Sequence, residues 1–172
     1  MSTYRKFWYL NLPLHMTREE IFMREAVMLS EKGMIAEAGG PFGCVVVRGE
    51  EIVGRGWNQV LAMNDPTAHA EIIAIREACR RLESFHLAGC ELFSSCEPCP
   101  MCLGAVYWAQ IKTVYFANTR HDAAAIGFND SFIYEELNCA HDARTVRMIA
   151  CGREEAIRVF SLWQQKGNRI LY

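Results

Sequence analysis

Two short segments of this 172-residue chain contain residue types that bind and use metal ions. The first places His69 and Glu71 two residues apart, and the second places Cys99 and Cys102 in a Pro-Cys-x-x-Cys run. Catalytic zinc commonly takes three nitrogen or sulfur ligands and keeps a fourth position for water. One imidazole and two thiolates therefore predict a catalytic zinc site, with Glu71 near the metal but not bound to it.

The predicted chemistry is hydrolysis. Bulk water is too weak an acid to attack a ring carbon, but zinc brings the pKa of a bound water close to neutrality. A neighbouring carboxylate such as Glu71 can accept that proton, pass it to a ring nitrogen and help protonate a departing amine. A His-x-Glu segment combined with Pro-Cys-x-x-Cys is typical of zinc-dependent nucleobase deaminases.

Cys96 leaves two other interpretations open, because Cys96 and Cys99 also form a Cys-x-x-Cys pair. One is a closed structural zinc site with three cysteines and one histidine, and the other is a redox dithiol. Cys99 and Cys102 are preferred as ligands because they follow Pro98 as the deaminase signature requires. Cys96 is then expected to be a small buried thiol.

Helices and strands alternate along the chain, and both ligand pairs lie where helices are predicted to begin, so the helix dipole favours the thiolates. The predicted elements are a helix from Thr17 to about Ala38, strands at 44–47 and 52–57, a helix capped by Thr67, a strand at 90–94, a helix after Pro98, a strand at 113–117, short helices within 123–138, a strand at 145–151 and a helix at 154–165. This order predicts a three-layer α/β/α domain with a five-stranded mixed sheet whose last two strands are parallel.

The overall composition excludes some classes of function. The net charge is −2, whereas proteins that grip a nucleic-acid backbone usually carry a basic surplus. No run of about 18 apolar residues could span a bilayer, and no signal peptide is recognisable, so we expect a cytoplasmic protein with reduced cysteines. Residues 17–172 are expected to form one domain. The aromatic-rich extension at 1–16 is expected to lie over the domain or a partner subunit, or to form a lid over the active site.

Several blocks after residue 16 resemble the cytidine deaminase superfamily and, within it, the guanine deaminases of bacteria. The blocks are residues 40–43, 64–71, 95–108, 122–124, 127–128 and 130–134. The block from Gly127 to Tyr134 and the terminal Tyr172 are the features that indicate guanine. This chain departs from the pattern at Asn129, which replaces the first acid of an Asp-Asp pair, and in its N-terminal extension.

The resemblance implies a cytidine deaminase-like fold and one Zn²⁺ ion per subunit, bound by His69, Cys99 and Cys102 with Glu71 as proton shuttle. It also implies further site residues, namely Asp130 as a second catalytic carboxylate and Phe42, Asn58, Ala70, Trp108 and Tyr172 as substrate contacts. Tyr172 would reach the partner's site, because the tail at 166–172 is exchanged within a homodimer. Taken singly, these residues also fit ordinary roles as core aromatics, a turn residue or a helix cap.

We therefore expect hydrolytic deamination of guanine to xanthine and ammonia, with a small purine base as partner and neither nucleic acid nor membrane. The same chemistry on guanosine, cytosine or an aminotriazine such as ammeline is the nearest alternative. A transfer-RNA adenosine deaminase and a non-catalytic zinc-binding module are the remaining alternatives.

Overall fold

The structure, a computed structural model, describes residues 16–171. The expectations for the N-terminal extension, apart from Met16, and for Tyr172 lie outside the described residues. The elements are α1 (Arg18–Ile35), β1 (Gly43–Arg48), β2 (Glu51–Trp57), α2 (Val60–Met63), α3 (Ala70–Leu82), β3 (Cys90–Cys96), α4 (Pro100–Trp108), β4 (Thr113–Asn118), α5 (Arg120–Ala125), α6 (Ser131–Asn138), a 3₁₀ turn (His141–Ala143) and α7 (Arg153–Gln165).

The helix that opens the described fold begins where the sequence predicts. Thr17 is the N-cap of α1, its hydroxyl accepts from the Glu20 backbone N–H, and the Glu20 carboxylate accepts from the Thr17 backbone N–H. This capping box satisfies N–H groups that no earlier turn can reach. The helix ends at Ile35, earlier than the predicted Ala38, and the chain turns through Gly39 and Gly40 into β1.

The sheet is mixed, with strand order β2-β1-β3-β4. Strand β1 pairs antiparallel with both β2 and β3, and β3 pairs parallel with β4. The hairpin expected from 44–47 and 52–57 is therefore present, extended to the bounds of β1 and β2.

The expectation of a fifth strand at 145–151 is wrong, because the sheet formed by residues 16–171 has four strands. Arg144 Nε donates to the Cys139 carbonyl at 3.1 Å, and the Thr145 backbone N–H donates to Glu136 Oε2 at 2.7 Å. These bonds tie the start of the segment to the end of α6, so it does not lie beside β4. The parallel pair predicted for the last two of five strands is likewise absent here, and the observed parallel pair is β3 with β4.

The two faces of the sheet bury different side chains, as the alternation of a strand requires. Cys44, Val46 and Leu92 belong to the cluster that packs against α3 and α4. Val45, Val47 and Phe93 belong to the cluster that includes Phe22 and Leu29 of α1. Helices therefore cover both faces, and the three-layer arrangement is present.

Glycines in β2 let α3 lie very close to the sheet. A Cβ atom added at Gly56 would lie 2.1 Å from the Ala70 carbonyl oxygen, and one added at Gly54 would lie 2.2 Å from the Ala74 carbonyl oxygen. Both distances are far below van der Waals contact. This packing holds the first turn of α3, which carries Glu71, against the hairpin.

The C-terminal part of the chain is uncovered. Every residue from 145 to 171 is exposed, although the segment contains large apolar side chains such as Val146, Ile149 and Phe160. None of the helices within residues 16–171 combines the length and the apolar character needed to cross a bilayer.

Candidate active site

Three side chains from two helix starts converge on one point. His69 Nδ1 lies 3.6 Å from the sulfur atoms of both Cys99 and Cys102. The three ligand atoms all lie within 4.8 Å of one another. Donors placed about 2.0–2.3 Å from a tetrahedral zinc ion are separated from each other by roughly the distance that joins His69 Nδ1 to each of the two sulfur atoms. The donor set and its spacing therefore fit zinc.

A tight loop places His69. The Thr67 backbone N–H and hydroxyl both donate to Asp65 Oδ1, at 2.8 Å and 2.7 Å, and the His69 backbone N–H donates to the Thr67 carbonyl at 2.8 Å. The expectation that Thr67 caps the helix is wrong, because its hydroxyl is engaged with Asp65. His69 itself occupies the N-cap position of α3.

The two cysteines lie in the first turn of α4, where Cys99 is the N-cap and Pro100 the first helical residue. A hydrogen bond from the Cys102 thiol, with further donation from His69 and the Cys102 backbone N–H, lowers the pKa of Cys99 to about 4 despite burial. The same Cys99–Cys102 bond, together with burial, raises the pKa of Cys102. One thiolate thus forms readily, and the second proton leaves when a metal ion takes its place.

Cys96 does not complete a four-ligand site. Its sulfur lies 3.6 Å from the Thr119 carbonyl oxygen, and among residues 16–171 it is outside the group of converging ligand atoms. Burial raises the pKa of Cys96 to about 11, which keeps it a thiol. Among residues 16–171, the group that could hold a metal ion is therefore limited to three ligands, which suits a catalytic zinc that keeps its fourth position for water.

Glu71 lies in the first turn of α3 and is buried. Its Oε2 accepts from the Cys102 sulfur at 3.3 Å, and its Oε1 accepts from the Ser94 hydroxyl at 3.1 Å. Burial raises the pKa of this carboxyl group, which favours a group that both accepts and returns a proton. An isolated helix-dipole partner would instead face solvent.

A cavity of about 620 Å³ opens onto the metal ligands. His69, Glu71 and Cys99 contribute to its wall, and Phe42 and Phe128 add aromatic surface with their rings at 89° and 5.0 Å apart. A flat ring compound can contact these aromatic faces while one of its atoms approaches the metal ligands.

Comparison with known proteins identifies the family of this chain. The model for the cytidine and deoxycytidylate deaminase zinc-binding region matches residues 16–118. This chain belongs to the cytidine and deoxycytidylate deaminase family. The match spans the described part of the chain from its first residue to the end of β4, including all three metal ligands.

The chain is also similar to individual members of the family. It is 46% identical to guanine deaminase of Bacillus subtilis over 153 residues, which are 89% of this chain and 98% of that protein. The X-ray structure of that guanine deaminase superposes with a TM-score of 0.86 over the same shares of the two chains. The fold is thus cytidine deaminase-like.

Two further relatives are more distant. A tRNA-specific adenosine deaminase of Aquifex aeolicus is 40% identical over 112 residues, which are 64% of this chain and 71% of the relative. A solved guanine deaminase from Nitrosomonas europaea is 31% identical with a TM-score of 0.61, covering 70% of this chain and 69% of that one.

Asn58, a predicted substrate contact, lies in the wall of the cavity. It is buried, and its Oδ1 accepts from the Val60 backbone N–H at 3.2 Å. This bond fixes the orientation of the amide. The Nδ2 hydrogens are then the groups of Asn58 that are best suited to donate to a ligand.

Asp130 also lines the cavity, and the neighbouring Asn129 makes the side-chain hydrogen bond at the start of α6. Asp130 is the N-cap residue of α6 but makes no side-chain capping bond. Asn129 Oδ1 accepts from the Ser131 backbone N–H at 3.0 Å instead. The Asp130 carboxylate is thus not engaged in capping α6, while Asn129 stabilises the turn.

Other candidate residues lie away from the cavity. Ala70 is the first residue of α3 and is fully buried in the core, and Trp108 is 67% exposed at the end of α4. Neither lines the cavity of this single chain. Their roles as substrate contacts stay predictions.

Sequence reasoning missed two polar residues of the site. Arg120 and Glu97 line the cavity, and the Arg120 backbone N–H donates to Glu97 Oε2 at 3.1 Å. The Arg120 guanidinium carbon lies 5.1 Å from the centre of the Tyr134 ring. No pattern of spacing links α5 to the Pro-Cys-x-x-Cys run, because the contact arises only when β4 returns the chain to this edge of the sheet.

Proposed function

We propose that the chain catalyses the hydrolytic deamination of guanine to xanthine and ammonia. The main support for this proposal is that Glu71 is buried directly behind a His69, Cys99 and Cys102 triad. This triad opens onto a cavity large enough for a purine. The similarity to a guanine deaminase over 89% of the chain favours guanine among the possible bases.

Guanine presents acceptors at O6 and N7 and donors at N1 and the 2-amino group. Phe42 and Phe128, which contact each other edge to face, provide an apolar wall against which the ring can pack, and Asn58 Nδ2 can donate to an acceptor on its edge. The base is then oriented with its amino-bearing carbon toward the metal ligands.

The reaction adds water at C2 and breaks the bond from C2 to the exocyclic nitrogen. Zinc bound by His69, Cys99 and Cys102 would supply an activated water at the fourth corner. Glu71 accepts one proton from the attacking water and delivers it to a ring nitrogen. It then carries the second proton to the amine, so that water and guanine yield xanthine and ammonia with no other reactant.

Asp130 supports the last step of this scheme. Partial burial and the nearby Cys99 raise the pKa of its carboxyl group, and it is not engaged as a helix cap. A carboxylate on the side of the cavity formed by α6 can accept a hydrogen bond from the departing amine. We infer that Asp130 assists departure rather than attack.

We further propose a homodimer in which the C-terminal segment is exchanged. Residues 145–171 are exposed throughout, and Val146, Ile149 and Leu171 each expose 72% or more of their surface. An apolar segment of this size is usually covered by a partner. Exchange would bring the end of the chain, and with it Tyr172, to the partner's cavity.

A cytoplasmic location stays a prediction. All eight cysteines are within residues 16–171 and all are free thiols. This state suits a reducing compartment.

A transfer-RNA substrate is the second candidate, because a relative of that class is 40% identical over 112 residues. That similarity covers 64% of this chain, whereas the similarity to guanine deaminase covers 89%. The net charge of −2 also disfavours a polyanionic substrate. We therefore prefer the free base.

The test is ammonia release by the purified protein from guanine, guanosine, adenine, cytosine, ammeline and unmodified transfer RNA, with zinc measured in the same preparation. We expect release from guanine at a rate well above the others and about one zinc per chain. Ammonia from cytosine alone, or from transfer RNA alone, would refute the guanine proposal.

A further inference from the structure

Ser94 is a buried hydroxyl residue of β3 that touches the candidate catalytic machinery. Only 1% of its surface is exposed, and it shares its face of the strand with Cys90, Leu92 and Cys96. A hydroxyl in such a row is costly to bury unless it has a partner. That partner is Glu71 Oε1, to which the Ser94 hydroxyl donates at 3.1 Å.

The two oxygens of Glu71 therefore have different surroundings. Oε1 accepts a hydrogen bond from Ser94 of the sheet, and Oε2 lies 3.3 Å from the Cys102 sulfur, beside the ligand triad. A cysteine that ligates zinc does so as a thiolate and has no hydrogen to donate. Within the described part of the chain, the Ser94 bond is then the side-chain hydrogen bond that continues to orient the carboxylate.

We propose that Ser94 is a positioning residue, whose hydroxyl fixes Glu71 Oε1 so that Oε2 faces the reacting water and the amine. The proposal rests on the proposed deaminase function and adds a specific support for its proton shuttle. Rotation of the carboxylate by a small angle moves Oε2 away from both proton-transfer partners. Misplacement of a catalytic group by about 1 Å can cost as much as 10²-fold in rate.

The neighbouring serine provides a matched control. Ser95 is also buried on β3, but strand alternation turns it to the opposite face. Its Oγ accepts from the Gly43 backbone N–H at 2.9 Å and does not contact Glu71. Removing either hydroxyl disturbs a buried hydrogen bond of the same strand, but only Ser94 is expected to affect proton transfer.

The decisive pair of variants is Ser94→Thr and Ser94→Val. Both replace serine with a larger side chain of the same size, but threonine keeps the hydroxyl and valine has a methyl group in its place. We expect Ser94→Val to have a kcat about 10- to 100-fold below that of Ser94→Thr, with KM similar in the two and zinc content unchanged. Crystals of the zinc-loaded proteins should show one Glu71 orientation in Ser94→Thr and several in Ser94→Val. Ser95→Ala should keep the kcat of the unaltered chain.

Equal kcat values for Ser94→Thr and Ser94→Val would overturn the proposal, as would an equal loss in Ser95→Ala. If the larger side chains prevent folding, Ser94→Ala compared with Ser95→Ala decides by the same criteria. All variants are assayed on every base that the unaltered chain deaminates. Turnover of another base in place of guanine would refute the guanine proposal, while Ser94 would still be judged on that base.

Discussion

At the scale of single residues, the proposed chemistry depends on the carboxylate of Glu71. Glu71→Gln keeps the size and the hydrogen bond from Ser94 but removes a group that accepts protons. We expect kcat to fall by about 10²- to 10⁴-fold, the usual contribution of a general base, while the chain keeps its zinc. Ammonia release and metal analysis on the same sample measure both quantities.

Glu77 provides the control for that experiment, because it lies on the same helix and its Oε2 accepts from the Arg55 backbone N–H at 2.8 Å, outside the metal centre. Glu77→Gln should leave kcat near that of the unaltered chain. Turnover that survives in Glu71→Gln would contradict a hydrolase in which this residue moves the proton.

The number of zinc ligands is a second question at this scale. Cys96→Ala should keep about one zinc per chain, whereas Cys99→Ala should weaken zinc binding by more than about 100-fold, since even outer-shell changes can cost that much. Competition with a chelator of known affinity measures the difference. Loss of zinc from Cys96→Ala would show a closed four-ligand site and remove the position needed for water.

At the scale of secondary-structure elements, the site depends on the close packing of α3 against β2. Gly56→Ala would put a methyl carbon 2.1 Å from the Ala70 carbonyl oxygen, so the start of α3 must move. We expect a loss of about 1–3 kcal/mol in the free energy of unfolding, the usual cost of overpacking, together with weaker zinc binding. Denaturant titration with and without bound zinc tests this.

Gly104→Ala in α4 is the matched substitution, because an added Cβ there meets nothing within 4 Å. Alanine is favoured over glycine inside a helix, so this variant should be more stable by about 0.5–1 kcal/mol. Destabilisation of equal size at both positions would mean that close approach of β2 and α3 is not the cause.

At the scale of the whole molecule, the exposed C-terminal segment predicts that two copies share their sites. Deletion of residues 170–172 should abolish most activity without loss of zinc, because Tyr172 no longer reaches the partner's cavity. Light scattering should show a dimer for the full chain. Full activity after the deletion would contradict the exchange.

A mixing experiment sharpens the same prediction. The deletion variant retains Glu71, and a full-length Glu71→Gln chain retains the tail, so each lacks what the other supplies. Mixed dimers should recover up to about one quarter of normal activity, since half of the dimers are mixed and each has one complete site. No recovery from a refolded mixture would place the tail in the site of its own chain.

Local patterns in the sequence were sufficient for much of this molecule. The capping box at Thr17 and the β1–β2 hairpin each depend on contacts within a few residues, so spacing and propensity predict them. The helices that follow His69 and Cys99 were also predicted, although α3 is capped at His69 and not at Thr67. The predicted zinc ligands can be recognised for the same reason, since the His-x-Glu and Cys-x-x-Cys motifs each lie within one helical turn.

Contacts between separate elements of the fold decided the rest. Arg120 reaches the cavity, Ser94 rather than Ser95 meets Glu71, and residues 145–151 stay outside the sheet. In each case the result depends on which face a strand turns toward the core, or on hydrogen bonds to an element that sequence spacing alone does not locate. The sequence by itself predicted the His69, Cys99 and Cys102 group that could hold a metal ion, whereas only the tertiary structure decided which groups surround and orient it, because burial and hydrogen-bond partners are properties of the packed chain.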